Sequence, residues 1–391
     1  MALPLTGAVR NYAWGSTTAI PRLLGREPDG TPAAELWLGA HPAEPAFALV
    51  EGVEVPLDAL LARERHLLAG HSELPFLVKV LAAERALSLQ VHPDEAHAAD
   101  GYARGETDAA GLPRYLDPHH KPELVVALTP FRALSGTRPA AEAAVVARAL
   151  AIPQLTRLCS PLEDAGASLD AQGDAIRTVL RNLLALPPAK RARLVDAVVV
   201  AATPLCGAGG SIGRYADLAG VLSGDHPGDI GVVAALLLND LDLAPGDALF
   251  QPAGVIHAYV RGTGVEIMAS SDNVLRCGLT PKPLDHDGLF QVLDPRPLPA
   301  IRPLLGEQPW TAPEGRFTVR RLRPRDGIHV QDNAPTIVLC TEGEVVLHDG
   351  AVLPLRQGQA AFLCPADVWR VSGPGEVFVA SAVPALVTSA A

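Results

Sequence analysis

The sequence predicts a mainly β protein that carries a helical insertion and ends in a second β unit. Residues 1–135 consist of short apolar or alternating runs interrupted by Gly, Pro, Asp and His. Residues 139–239 instead carry apolar side chains at helical spacing, and strand-like runs return at 243–268 and 316–383. Because strands stand on both sides of the helical block, we interpret the block as an insertion into a β architecture.

The strands of the first part are predicted from apolar runs of strand length that end at turn-forming residues. These runs are AELWLGAHP, LPFLVKVLA, LSLQVHP and PELVVALTPF. The helices are predicted from AAEAAVVARALAI, DAIRTVLRNLLAL and PAKRARLVDAVVVAA. We therefore expect residues 1–138 and 240–300 to form one discontinuous β domain around the helical insertion 139–239.

A weak internal repeat predicts that residues 301–391 form a further β domain. Segment 243–253 (LAPGDALFQPA) resembles segment 355–366 (LRQGQAAFLCPA), with one extra residue in the later copy. The first copy continues to His257, whereas the second reaches Arg370 at the corresponding position. Only the first copy therefore keeps an imidazole that could bind a metal.

Composition narrows the classes of protein to which the chain can belong. Its 391 residues are 48% hydrophobic and 19% charged, which is typical of a packed globular protein rather than a disordered one. A formal net charge of −11 disfavours nucleic acid as a partner, since a phosphate backbone is bound by a basic surface. The five Cys form no C-x-x-C pair, and the sequence has no signal peptide or membrane-spanning apolar run. We expect a cytoplasmic protein without a membrane partner. A monomer is the first expectation, and an oligomer stays open as the alternative.

The clearest local signal for chemistry is segment 245–259, which reads PGDALFQPAGVIHAY. It resembles the second metal-binding motif of the cupin superfamily, in which a Gly turn and a Pro-x-Gly corner enclose a strand before a ligand His. His257 is therefore a candidate metal ligand. The alternative is a hairpin that ends in a buried, hydrogen-bonded His.

Two further segments supply partners for this imidazole. In LSLQVHP, alternation along a strand puts Ser88, Gln90 and His92 on one face. In HHKPE, Lys121 and Glu123 share a face by the same period. Two imidazoles, a carboxylate and an amide oxygen make a ligand set that suits Zn²⁺ and tolerates other divalent metals. The alternative for the first segment is a solvent-facing edge strand, which the following Pro disfavours.

The chain resembles the type I mannose-6-phosphate isomerases over most of its length. The resemblance is carried by segments in the same order: NYAWGS at 11–16, ELWLGAHP at 35–42, LSLQVHPD at 87–94, HKPE at 120–123, the segment ending at His257, and SDNVLRCGLTPK at 271–282. Several dispersed segments in one order are more specific than any one of them. The chain departs from the family at Ala13, where many members have Asp, which puts a carboxylate near the sugar in doubt.

The resemblance implies a fold, a cofactor and a reaction. The fold is a cupin-type double-stranded β-helix, or jelly-roll, barrel formed by 1–138 and 240–300, with a second cupin-like β barrel at 301–391. The cofactor is one Zn²⁺ per chain, held by Gln90, His92, Glu123 and His257. The reaction interconverts mannose 6-phosphate and fructose 6-phosphate through an enediol, so the expected partner is a small sugar phosphate.

The implied reaction defines roles for further residues. Moving a proton between C2 and C1 requires a base, for which Glu266 and Asp272 are the candidates and His120 is a weaker one. The sequence does not decide between Glu266 and Asp272. Arg276 is expected to stabilise the enediolate or hold the substrate, and Lys121 to donate a proton in ring opening.

The phosphate of such a substrate requires local cations in a chain of net negative charge. Lys occurs at only four positions, so Lys79 and Lys282 are candidates for phosphate binding, together with Ser88. The candidates that shape the sugar pocket are Trp14, Glu35 and Tyr259. The alternatives are surface ammonium groups for the Lys residues and core packing for the aromatic ones.

Two other functions stay open at this point. A different metal-dependent cupin enzyme, such as an oxygenase or another sugar-phosphate isomerase, would share the barrel, but an oxygenase favours iron on two His and one carboxylate. A sugar-binding or regulatory cupin would keep the metal for structure alone. Gln90 disfavours the oxygenase, and Arg276 and Lys121 disfavour the regulatory protein, because a structural site needs neither.

Overall fold

The computed structural model describes residues 2–298, 309–312, 316–330, 332–348, 351–365 and 368–383. Its elements confirm the predicted class, a mainly β protein with a block of helices. The strands before that block are β1 (Ala2–Thr6), β2 (Ala8–Arg10), β3 (Glu35–Leu38), β4 (Phe47–Val50), β5 (Val53–Pro56), β6 (Phe76–Ala83), β7 (Leu89–Val91), β8 (Glu123–Ala127) and β9 (Phe131–Thr137). The strands after it are β10 (Leu238–Leu243), β11 (Ala248–Gln251), β12 (His257–Ala269) and β13 (Leu275–Gly278).

The helical block follows the predicted spacing of apolar residues. Its helices are α4 (Ala140–Ala149), α5 (Pro153–Cys159), α6 (Leu169–Leu184), α7 (Pro188–Ala202), α8 (Gly210–Asp225) and α9 (Gly231–Ala234), after α1 (Ala19–Leu23), α2 (Leu57–Arg63) and α3 (Glu95–Arg104), and before α10 (His286–Val292). The side chain of Ser168 accepts a hydrogen bond from the Ala171 amide and so caps the start of α6. Within the described part of the chain, no helix has both the length and the hydropathy needed to cross a membrane.

The barrel is organised around β12. This strand pairs antiparallel with β6, β7, β8 and β9, in a sheet of ten described strands. Side chains alternate along a strand, so Ala258 and Val260 pack with the apolar side chains of the helices. Tyr259 packs instead with barrel residues such as Leu81 and Val125. The alternation therefore separates a face that binds the helical block from a face that lines the barrel interior.

The C-terminal strands form a second β unit. They are β14 (Trp310–Thr311), β15 (Phe317–Leu322), β16 (Ile328–Val330), β17 (Thr336–Glu342), β18 (Glu344–His348), β19 (Val352–Arg356), β20 (Ala360–Leu363), β21 (Trp369–Ser372) and β22 (Glu376–Ala382). β16, β21, β18 and β19 form one sheet, and its apolar side chains share a core cluster with those of β17 and β22. The two copies of the predicted repeat contain β11 and β20, although residues 366 and 367 of the second copy lie outside the described residues.

The first strand of the chain joins the sheet of the C-terminal strands. β1 pairs with β20 on one side and with β4 on the other, and β5 closes that edge of the sheet. Residues 2–6 and 47–56 are thus hydrogen bonded into the C-terminal unit, although the division at residue 300 assigns them to the first barrel. The division itself stays a prediction, and its boundary at 299–308 lies outside the described residues.

Candidate active site

The register of the strands brings distant residues into rows across the barrel wall. Gln90 on β7 lies opposite His257 on β12 and opposite Arg276 on β13. In a second row, Lys79 on β6 lies opposite Glu266 on β12. Residues that face each other across antiparallel strands have Cβ atoms about 4.5–5.5 Å apart. The barrel therefore gathers five of the predicted site residues into two rows.

The two predicted imidazole ligands are held by hydrogen bonds to backbone carbonyl groups. The Nδ1 atom of His92 donates to the Asn273 carbonyl at 2.8 Å, and that of His257 donates to the Val255 carbonyl at 2.9 Å. Since Nδ1 carries the proton in each ring, Nε2 keeps its lone pair for another partner. Burial lowers the pKa of His92 to about 4, which keeps this imidazole neutral at physiological pH.

Glu123 lies between these imidazoles. Its Oε1 atom is 3.2 Å from His92 Nε2 and its Oε2 atom is 3.4 Å from His257 Nε2. Although burial opposes ionisation, the positive charge of Lys121 holds the pKa of the Glu123 carboxyl well below its usual range. Lys121 Nζ is 3.0 Å from Oε1. A buried, ionised carboxylate thus faces two imidazole lone pairs.

These three residues fit a divalent metal ion. One donor atom from each lies within 4.8 Å of the others, and all three side chains are buried. His92 Nε2 and Glu123 Oε2 have no hydrogen-bond donor among the described residues. Buried acceptor atoms without a partner are costly, and a bound cation would satisfy both. The nitrogen and oxygen donor set is one that zinc prefers.

Gln90 lies at the edge of this cluster. Its side-chain Nε2 atom is 3.3 Å from His257 Nε2. Half a turn of the amide group exchanges its nitrogen and oxygen, so the same side chain can offer an oxygen to a metal. The predicted fourth ligand is therefore in contact with His257, one of the other three.

A second charged cluster lies on the row that contains Lys79 and Glu266. Lys79 Nζ is 3.7 Å from a carboxylate oxygen of Glu35 and 3.7 Å from one of Glu266. Trp37 donates its indole N–H to Glu35 at 2.7 Å, and its ring centroid lies 4.8 Å from Lys79 Nζ. Burial and the charge of Glu123 raise the pKa of Glu266 to about 7, while Lys79 opposes the rise. Glu266 is thus a carboxyl group whose pKa is close to physiological pH.

A cavity of about 560 Å³ opens above the two rows. Residues predicted for the site that line it are Trp14, Glu35, Lys79, Ser88, Gln90, Lys121, Asp272, Arg276 and Lys282. Those that lie buried outside its lining are His92, Glu123, Tyr259, His257 and Glu266. The cavity is large enough for a phosphorylated hexose, and the convergent donor atoms lie beneath its floor.

One end of the cavity is cationic. Arg276 and Lys282 both line it, and the charge of Arg276 lowers the pKa of Lys282. Ser88 also lines the cavity, beside the point where Leu89 pairs with Gly278. Two mutually repelling cations next to a hydroxyl group are a favourable environment for an anion.

Asp272 stands at the cavity with a partner that the sequence analysis did not propose. The Asp272 side chain is 47% exposed, and one carboxylate oxygen lies 3.4 Å from Nε2 of the buried His41. This contact lowers the pKa of Asp272. His41 lies within ELWLGAHP, so its segment was recognised even though its role was not.

His120 and Tyr259 lie outside both the cavity lining and the cluster of metal-binding donor atoms. His120 contacts Glu95 through Nδ1, and burial lowers its pKa. The Tyr259 hydroxyl is buried without a hydrogen-bond partner among the described residues, and burial raises its pKa. Both side chains belong to the surroundings of the metal-binding residues rather than to the cavity wall.

Further side chains at the site were missed by sequence reasoning. Gln251, which lies opposite Glu123 across the β11 and β8 pair, is fully buried and accepts a hydrogen bond from Ser135. Asp225 and His226 come from the helical block and line the cavity. Gln251 lies inside the recognised 245–259 segment, whereas no local pattern marks the other two, because they reach the site only through tertiary packing.

Comparison with known proteins matches one family over most of the chain. A family model for the catalytic domain of phosphomannose isomerase type I matches residues 2–140. Mannose-6-phosphate isomerase of Salmonella typhimurium is 34% identical over 387 residues, which cover 92% of this chain and 94% of the relative. The enzyme of Rattus norvegicus is 31% identical over 409 residues, with the same coverage of each chain.

Solved structures resemble the whole chain as well. A crystal structure of a variant phosphomannose isomerase from Salmonella typhimurium superposes with a TM-score of 0.83 and 30% identity, covering 98% of this chain and 99% of the other. A zinc-bound mannose 6-phosphate isomerase superposes with a TM-score of 0.82 and 31% identity, covering 97% of this chain and 99% of the other.

Proposed function

This chain belongs to the family of type I mannose-6-phosphate isomerases, and from that premise we propose a zinc-dependent mechanism for its reaction. The enzyme interconverts mannose 6-phosphate and fructose 6-phosphate through an enediol, with one Zn²⁺ per chain. The observation that carries the proposal is the convergence of His92, Glu123 and His257 beneath a cavity with a cationic end. Gln90 completes the proposed ligand set.

Bound zinc would act as a Lewis acid that stabilises negative charge on the sugar oxygens. Arg276 supports the same task from the cavity wall, because its guanidinium stays charged and offers several donors. Lys121, whose ammonium group is 3.0 Å from Glu123 and lines the cavity, donates the proton needed in ring opening.

Glu266 is proposed as the base that carries the proton between C2 and C1. A general base is most effective when its pKa lies near the working pH, and the pKa of Glu266 is raised to about 7. Asp272 has a lowered pKa and contacts His41 at the cavity, which suits an ionised group that binds and orients a sugar hydroxyl.

The phosphate is proposed to bind at the cationic end, between Lys282, Arg276 and Ser88. Lys79 is a weaker candidate for this role than the sequence implies, because its charge is already balanced by Glu35 and Glu266. We propose that Lys79 instead holds these two carboxylates in place. Trp14 and Glu35 then form the side of the sugar pocket.

Solvent exchange tests the enediol. A base that removes the C2 proton can exchange it with water, whereas a direct hydride shift cannot. After prolonged equilibration of mannose 6-phosphate with the zinc-loaded enzyme in D₂O, we expect deuterium at C1 of fructose 6-phosphate and at C2 of mannose 6-phosphate, detected by NMR. Complete equilibration without incorporation of deuterium would contradict the enediol and indicate hydride transfer.

A further inference from the structure

We propose that the insertion turn, defined as residues 225–229 from the last residue of α8 toward α9, is a positioning element that holds two loops of the active-site cavity at a fixed spacing. One loop carries Ser88 and the other carries Lys282. The inference rests on the proposed function, because it assigns these loops to the phosphate of the substrate. It gives the helical insertion a role in substrate affinity.

The first loop is held through the backbone amide and the backbone carbonyl of Ala86. Asp225 Oδ2 accepts a hydrogen bond from the Ala86 amide at 2.9 Å, and His226 Nε2 donates to the Ala86 carbonyl at 2.7 Å. Ala86 is 1% exposed and lies two residues before Ser88. The other carboxylate oxygen of Asp225 contacts Arg261 on β12 at 3.5 Å. The C-terminal end of α8 therefore contacts both strand β12 of the barrel and the cavity loop that contains Ala86.

The second loop is held by one carboxylate. Asp229 Oδ1 accepts hydrogen bonds from the amides of Gly231 and Leu279, at 2.7 and 2.8 Å, and Oδ2 accepts from the Thr280 amide at 3.1 Å. Leu279 has a φ of +53°, a left-handed conformation that is unfavourable for a leucine. Such a conformation persists only where its surroundings enforce it. Asp229 and the burial of Leu279 are what enforce it here.

Both loops line the cavity, the first through Ala86 and Ser88 and the second through Leu279, Thr280 and Lys282. They lie side by side, because Leu89, which follows Ser88, pairs with Gly278, which precedes Leu279. None of these contacts involves His92, Glu123 or His257. A change in the insertion turn should therefore alter the spacing of the phosphate-binding groups and leave the metal-binding groups in place.

The test compares Asp229→Asn, Asp229→Ala and His226→Ala with His226→Gln, whose side-chain amide can still donate to the Ala86 carbonyl. The matched control is Asp196→Asn, the same chemical change at an exposed position of α7. For each purified variant we would measure KM and kcat with mannose 6-phosphate, zinc content, thermal unfolding, and the Kd of inorganic phosphate by calorimetry.

We expect Asp229→Ala and His226→Ala to raise KM and the phosphate Kd together, by about tenfold, because each variant loses hydrogen bonds that hold a cavity loop. Asp229→Asn should raise both by less, His226→Gln should restore wild-type values, and zinc content should not change. Unchanged KM and phosphate Kd in every variant would overturn the inference. So would a parallel loss of zinc and kcat, since the turn would then support the barrel as a whole. An inactive wild-type enzyme would refute the proposed function instead, and the phosphate Kd would still decide the inference.

Discussion

Glu266 lies beneath the cavity, opposite Lys79 across the β12 and β6 pair. Because burial raises its pKa to about 7, its proton stabilises the folded state at low pH, and this contribution is lost as the pH rises through about 7. A base must be ionised to act, so we expect kcat/KM of the zinc-loaded enzyme to rise with pH through a pKa above the ordinary value for glutamate. A pH series with saturating zinc measures this directly.

The Asp272→Asn variant is the control for that assignment. Its residual kcat/KM should keep the same rising limb, because Asp272 has a lowered pKa and is already ionised in this pH range. Loss of the limb in Asp272→Asn, together with a wild-type profile in Glu266→Gln, would transfer the role of base to Asp272.

Mutations of metal-binding residues and of substrate-binding residues should differ in their effect on zinc content. His257→Ala removes a buried donor atom of the proposed ligand set, so we expect loss of both zinc and activity. Arg276→Ala leaves the three convergent donor atoms intact, so zinc should remain while kcat falls by about 100-fold or more, the size of a lost electrostatic contact to a charged transition state. Zinc content and turnover are measured on the same samples.

His66→Ala is the control for the His257 variant, because the His66 side chain is 74% exposed. It should keep both zinc and activity. An Arg276→Ala enzyme with wild-type turnover would contradict the role given to that guanidinium.

At the level of single residues, sequence patterns predict neighbours along a strand better than partners across the fold. Period-two alternation grouped Gln90 with His92, and the structure brings both to the cluster with His257. The contact between His41 and Asp272 spans more than two hundred positions, and no local pattern encodes it. Lys79 was assigned to phosphate because Lys is rare, whereas its two carboxylate neighbours come from strands whose pairing the sequence does not specify.

At the level of elements, β12 is the strand that supports both rows of the site. A Cβ atom at Gly264 would lie 2.8 Å from a side-chain atom of Val125 and 2.9 Å from the Val126 carbonyl oxygen. We therefore expect Gly264→Ala to lower the free energy of unfolding by about 1–3 kcal/mol, the usual cost of overpacking a close-packed interior. Urea unfolding of the zinc-loaded proteins provides the measurement.

Gly220→Ala is the matched control. Gly220 lies in α8, where a Cβ atom would meet nothing within 4 Å, and alanine is the better helix former by about 1 kcal/mol. The same substitution should therefore have opposite signs at the two positions. Equal effects at both would mean that the close approach of β8 to β12 does not determine stability there.

The elements that sequence reasoning predicted best are those with a clear period. The apolar spacing of PAKRARLVDAVVVAA matches α7, which spans the same fifteen residues. The pairing of β1 with β20 was not anticipated, because it joins residues near the two ends of the chain. Strand order depends on long-range packing. The sequence of a short apolar strand such as β1 does not specify the strand with which it pairs.

At the scale of the whole molecule, the barrel and the helical block meet at the cavity, and the C-terminal unit contacts the residues around it. The barrel supplies the donor atoms, and the insertion contributes Asp225 and His226 to the cavity wall. Arg316, which lies just before β15 of the C-terminal unit, contacts Glu95, and Glu95 contacts His120 next to Lys121. The recognised sequence segments predicted the donor residues that the barrel supplies. The residues that the helical block and the C-terminal unit contribute could be identified only from the structure.

The central claim is that this chain isomerises mannose 6-phosphate with a zinc ion held by the buried donor cluster. The most direct measurement is formation of fructose 6-phosphate from mannose 6-phosphate by the purified protein, before chelation, after chelation, and after zinc is returned. We predict activity that disappears with the metal and comes back with it, together with a lower thermal unfolding temperature in the metal-free state. A folded, zinc-loaded protein without turnover, or turnover that survives complete removal of the metal, would contradict the account.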